Sequence, residues 1–125
     1  IGQSDLPLHE ARKILGNERI IGVTAPTLPL AIEAEKNGAD YLGVGAVFPT
    51  SSKDDATEVS YETLKAICQA VSIPVIAIGG ITKDNVAELS GSGICGIAVI
   101  SAIYGQKNIK DAAANLKMAV KKIID

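Results

Sequence analysis

Short β-branched runs alternate with helical patterns along this chain, and that alternation restricts the fold more than any other feature. The clear runs are Ile20 to Ala25, Tyr41 to Phe48, Ile73 to Ile78 and Gly96 to Ile100. Between them the apolar residues recur at helical spacing. Leu8, Ala11 and Ile14 or Leu15 mark a first helix that Gly16 stops. Thr27 to Lys36 reads as a second, ending at Asn37-Gly38. Ser60 caps a third that carries Leu64, Ile67 and Val71. A fourth is expected from about Thr82–Asn85 to Gly91–Gly93, and a long last one carries Ile109, Ala112, Leu116, Val120 and Ile123. Strands separated by helices need crossover connections, so they run parallel in one sheet. Ile1 to Gln3 reads as the tail of a preceding strand, with Ser4 or Asp5 as N-cap of the first helix.

Composition agrees. The chain is 47% apolar but only 3% aromatic, so its core is aliphatic, as suits parallel strands. A net charge of −2 without a basic run argues against a nucleic-acid partner. No stretch approaches the roughly 20 apolar residues that span a bilayer, so no membrane role is expected. Cys68 and Cys95 follow neither a metal-ligand nor a redox spacing, and two buried, reduced thiols in a cytoplasmic protein are the plain reading. The N-terminus lacks a signal-peptide pattern and looks cut at the end of a strand.

A length of 125 residues allows one domain, 1–125. Two α/β architectures fit the alternation: an open doubly wound sheet, or part of an eight-stranded barrel. Gly79-Gly80 lacks the spacing of a dinucleotide-binding fingerprint. A whole (β/α)8 barrel takes about 200 to 250 residues, which leaves room here for about half. Barrel phosphate sites use the loops after the last two strands, here Gly79–Thr82 and Ile100–Ala102. The expected fold is therefore the C-terminal half of a (β/α)8 TIM barrel: four βα units preceded by a strand remnant and a helix, with the N-terminal half absent.

The candidate chemistry lies at the strand ends. Gly43 to Lys53 runs from an apolar strand into Pro49, the hydroxyl residues Thr50, Ser51 and Ser52, and the cation Lys53. The loop suits an anion, or is a solvated turn in which Lys53 pairs with Asp54 or Asp55. Gly80 permits close approach of an anion to backbone N–H groups, or simply a tight turn. Ser101 is an anion ligand or an ordinary N-cap. Thr24 offers a hydroxyl at the same mouth or serves a turn. Asp5 is an N-cap or a Mg²⁺ ligand. His9 lies inside a helix and reads as surface or packing, and no Ser-His-Asp set is present.

Together Gly2-Gln3-Ser4-Asp5-Leu6-Pro7, Ile21–Thr24, Ala39–Gly45, Phe48-Pro49-Thr50-Ser51-Ser52-Lys53, Ala77–Thr82 and Val99–Ile103 resemble thiamine-phosphate synthases over nearly the whole chain. The resemblance implies a transferase of thiamine biosynthesis on a TIM barrel. Its substrates would be hydroxymethylpyrimidine diphosphate and thiazole phosphate, and it would release pyrophosphate. It also implies that Asp5 is a Mg²⁺ ligand. Thr24 and Lys53 would contact the diphosphate and take part in catalysis. Thr50, Ser51, Ser52, Gly80, Ile100 and Ser101 would bind the thiazole phosphate. The family's Gln-x-Arg-x-Lys and Asn-Asp motifs are not in this chain, and Pro26 stands where many members carry His or Lys. Two alternatives are a thiazole tautomerase-like relative and a non-catalytic phosphate-binding half-barrel. The chain alone is expected to be inactive, and its open sheet edges to favour a homo-oligomer.

Overall fold

The computed structural model describes residues 1–2, 5–48, 58–99 and 107–124. Helix α1 spans Leu8–Leu15, β1 Gly22–Thr24, α2 Leu28–Lys36, β2 Tyr41–Val44, α3 Tyr61–Ala70, β3 Val75–Ile78, β4 Gly96–Ala98 and α4 Ile109–Ile124. The sheet order is β1-β2-β3-β4, and every pair is parallel. Ile1 extends the sheet beyond β1. Its N donates to Gly22 O, and Thr24 N donates to Ile1 O at 2.9 Å. Two bonds from one residue to positions either side of Val23 are the signature of a parallel ladder, so the strand tail expected at Ile1 is there.

Local chemistry sets most helix ends. Thr27 Oγ1 accepts from Leu30 N, and Ser60 Oγ accepts from Thr63 N at 3.2 Å. The expected Ser4 or Asp5 cap of α1 does not form at Asp5, and Ser4 lies outside the described residues. Pro7 occupies the cap position, and its carbonyl accepts from Glu10 N and Ala11 N. Asp5 turns back instead and accepts from Gly2 N at 2.7 Å. The helix expected after β3 is also corrected: Val86–Leu89 is a four-residue 3₁₀ helix. The side chains of Thr82 and Asn85 bond to the local backbone and compete with a longer helix.

Burial separates the two faces of the sheet. Val23, Leu42, Val44, Val75 and Ala77 pack with Ala31 and Ala34 of α2, Leu64 and Ile67 of α3 and Leu116 of α4. The opposite face carries Gly22, Thr24, Tyr41, Gly43, Ile76, Ile78, Gly96 and Ala98, and here Thr24, Tyr41, Ile78 and Ala98 are exposed. Large side chains on this face lie over glycines of neighbouring strands. A Cβ on Gly22 would lie 2.1 Å from Tyr41 Cζ, and one on Gly43 would lie 2.7 Å from Ile78 Cδ1. Further exposed apolar residues are Ile1, Leu6, Ile14, Leu15 and Ile20 in the segments before β1, Ile32 on α2, and Ile109, Met118 and Ile124 on α4. Helices on one face and bare apolar margins are the architecture of half a (β/α)8 barrel.

At the N-terminal ends of the strands, Arg12 joins three segments. Its guanidinium donates to Arg19 O at 2.6 Å, Gly38 O at 2.7 Å and Asp40 Oδ2 at 2.9 Å. The N–H of Ile21 and the Arg12 side chain hold the Asp40 carboxyl below its ordinary 3.8. A carboxylate depressed in the folded state adds stability above its unfolded pKa and loses it as pH falls through the folded one. Asp40→Asn is therefore expected to lower the thermal midpoint at neutral pH and to flatten its fall below about pH 4. An acid limb with the same slope in both proteins would contradict this.

Candidate active site

Parallel pairing brings the C-terminal ends of all the strands to one edge of the sheet. Backbone bonds continue past the strands and tie these ends together. Ala25 N donates to Gly43 O at 2.9 Å, Val47 N to Ile78 O at 3.0 Å and Phe48 N to Gly79 O at 3.2 Å. Val59 N donates to Ala46 O at 2.6 Å. Both stems of segment 49–57 are thus fixed beside the end of β3.

Glycine makes this junction possible. A Cβ on Gly45 would stand 2.2 Å from Ile78 O, and one on Gly79 would stand 2.7 Å from the Ala46 Cβ. Gly79 also has φ +92, a conformation that side chains rarely adopt. The sequence shows these glycines, but their close approach joins residues more than thirty positions apart and has no local signal.

Of the residues singled out from sequence, Asp5, Thr24 and Gly80 come to this shared edge. Asp5 and Thr24 are exposed, and Gly80 is half-buried. Thr50, Ser51, Ser52, Lys53, Ile100 and Ser101 lie outside the described residues. His9 is exposed on α1, as expected of a surface residue. A groove of about 250 Å³ between α1 and α2 reaches Asp5, with Leu8, Val23, Leu30 and Glu33 also in its lining. Val23 belongs to the helix-covered face, so the groove is a gap in the helix layer.

Asn85 escaped the sequence reading except as a helix start. Its Nδ2 donates to Gly80 O and its Oδ1 accepts from Thr82 N, both at 2.8 Å. Gly79 and Gly80 have φ of +92 and +69, and the amide of Asn85 fixes the turn that follows them.

Among the described residues no group of three or more His, Cys, Asp or Glu could hold a metal. Asp5 is a single carboxylate at the strand-end edge, and its Oδ2 is oriented by Gly2 N. That fits one ligand position of a hard cation whose remaining ligands are phosphate oxygens and water. The cysteine expectation needs correction. Cys68 is half-buried and Cys95 is exposed, because Cys95 stands just ahead of the outermost strand. Burial, reinforced by Cys95, pushes the Cys68 thiol up to about 11, so it is no nucleophile at neutral pH. Among the described residues no helix is long and apolar enough to cross a membrane.

The thiamine monophosphate synthase family model matches residues 1–103. A thiamine-phosphate synthase of Ruminiclostridium cellulolyticum is 57% identical over 116 residues, which are 93% of this chain and 55% of that protein. One from Clostridium tetani is 54% identical over 116 residues, again 93% of this chain and 56% of that protein. The solved thiamine phosphate pyrophosphorylase of Pyrococcus furiosus superposes with a TM-score of 0.91 at 44% identity, covering 100% of this chain and 59% of that one. The chain therefore spans little more than half the length of these relatives.

Proposed function

This chain belongs to the thiamine monophosphate synthase family, and from that premise we propose that it forms one half of a site condensing hydroxymethylpyrimidine diphosphate with thiazole phosphate. The observation that carries the reading is the shared edge, where Asp5, Thr24, the stems of segment 49–57 and the Gly79–Gly80 turn meet at parallel strand ends.

In the proposed reaction the C–O bond between the pyrimidine methylene and the diphosphate breaks. Its electron pair leaves with pyrophosphate. The thiazole nitrogen lone pair then forms the new C–N bond. No protein nucleophile is required. Lys53 and Thr24 bind the departing diphosphate, and Lys53 offsets the charge that grows on it. Asp5 supplies one carboxylate to Mg²⁺, which when bound neutralises charge on the diphosphate. Thr50, Ser51, Ser52, Gly80, Ile100 and Ser101 hold the thiazole phosphate and so orient the second substrate. The protein acts as a cytoplasmic transferase, and its two open sheet margins are covered by another polypeptide segment or a second copy.

Lys53→Ala, made in an enzyme with a complete barrel, is expected to lower kcat/KM at least tenfold, about 1.4 kcal/mol of transition-state stabilisation. An unchanged kcat/KM would remove Lys53 from the mechanism.

A further inference from the structure

We propose that Asn85 is a positioning residue that sets the phosphate-binding turn, an inference that rests on the function proposed above. Two successive residues with positive φ, Gly79 and Gly80, give this turn a large conformational choice. One side chain removes that choice. The Asn85 amide grips Gly80 O through Nδ2 and Thr82 N through Oδ1, so it spans Ile81 on both sides. Thr82 Oγ1 closes the arrangement by accepting from Asn85 N at 3.3 Å and Asp84 N at 3.2 Å. Ile81 is 3% exposed and anchors the middle.

The direction of the grip matters. A trans peptide is planar, with its C=O and N–H on opposite sides. Holding Gly80 O toward Asn85 therefore turns the Ile81 N–H away from it. Among the described residues no backbone acceptor is bonded to the N–H of Gly80 or Ile81. The Ile81 donor is held in place without being consumed, which is what a phosphate monoester requires.

The test is steady-state kinetics of Asn85→Ala and Asn85→Asp in an enzyme with a complete barrel. Asn85→Asp keeps the acceptor for Thr82 N and nearly the same shape, but places an oxygen against Gly80 O. Both variants are expected to raise the KM for thiazole phosphate about tenfold or more, with kcat within about threefold and the KM for the pyrimidine diphosphate unchanged. A thiazole-phosphate KM equal to that of the parent, or an equal rise in both KM values, would overturn the proposal. If the parent enzyme does not condense the two substrates, the functional reading itself fails. The turn is then judged by amide NMR shifts on titration with inorganic phosphate. Shifts at Gly80 and Ile81 in the parent that vanish in Asn85→Ala support the clamp. Equal shifts in both proteins, or none in the parent, reject it.

Discussion

Gly45→Ala is expected to destabilise the fold by about 3 kcal/mol or more, a cost at the upper end of overpacking effects. The added methyl would sit 2.2 Å from Ile78 O, and Ile78 C is 2.8 Å away. Both are backbone atoms of the neighbouring strand, so no rotamer change relieves the clash. Relief requires β2 and β3 to separate, and the bond from Val47 N to Ile78 O lies in the path. Gly38→Ala is the control. Gly38 has φ +94 but nothing within 4 Å of its missing Cβ, so it isolates the backbone strain. That strain alone costs about 1 kcal/mol. Urea unfolding compares the two. A Gly45→Ala loss no larger than that of Gly38→Ala would mean the strand ends are not in the close contact described.

Much of this architecture is legible in sequence because it is locally encoded. Thr27 and Ser60 cap the helices they precede. The two segments Asn37–Asp40 and Ser92–Cys95 resemble each other, and the structure uses them alike. Gly38 and Gly93 have φ of +94 and +96, and the N–H groups of Asp40 and Cys95 join the neighbouring strands. Failures occur where the deciding partner is distant or where side chains compete with the backbone. The spacing that marked Ile14 is helical, yet Ile14 is 73% exposed, since periodicity does not say which face is covered. Val86–Leu89 stays a single 3₁₀ turn because of Thr82 and Asn85. Arg12 and Asp40 are 28 positions apart, and nothing local pairs them.

The site divides in the same way. Asp5, Thr24 and Gly80 are legible as residues at or just after strand ends, and parallel pairing then brings them to one edge. The clamp of Asn85 on the Gly80 turn is not legible, because an asparagine three residues after a threonine is an ordinary turn composition. The glycine contacts between β2 and β3 are likewise invisible until the register is known, with Val44 opposite Ala77.

The largest functional effect concerns completeness. Among the described residues no helix covers the second sheet face, and Ile14, Leu15, Ile20 and Met118 are exposed at its margins. The family's Arg- and Asn-Asp-bearing segments are not among these residues. Residues 1–125 alone should therefore bind phosphate ligands weakly and leave both substrates unreacted. On the proposed function, adding the remaining half of a relative is expected to supply the second set of charged groups and order both substrates, a gain that reaches several powers of ten in well-oriented reactions. The direct measurement is pyrophosphate release from hydroxymethylpyrimidine diphosphate and thiazole phosphate with Mg²⁺. It is made first with residues 1–125 alone and then with the rest of the Ruminiclostridium cellulolyticum relative added as a separate polypeptide. The account predicts no release from the chain alone and release, with thiamine phosphate formed, once the complement is present. Full activity of residues 1–125 alone, or none with the complement bound, would contradict it.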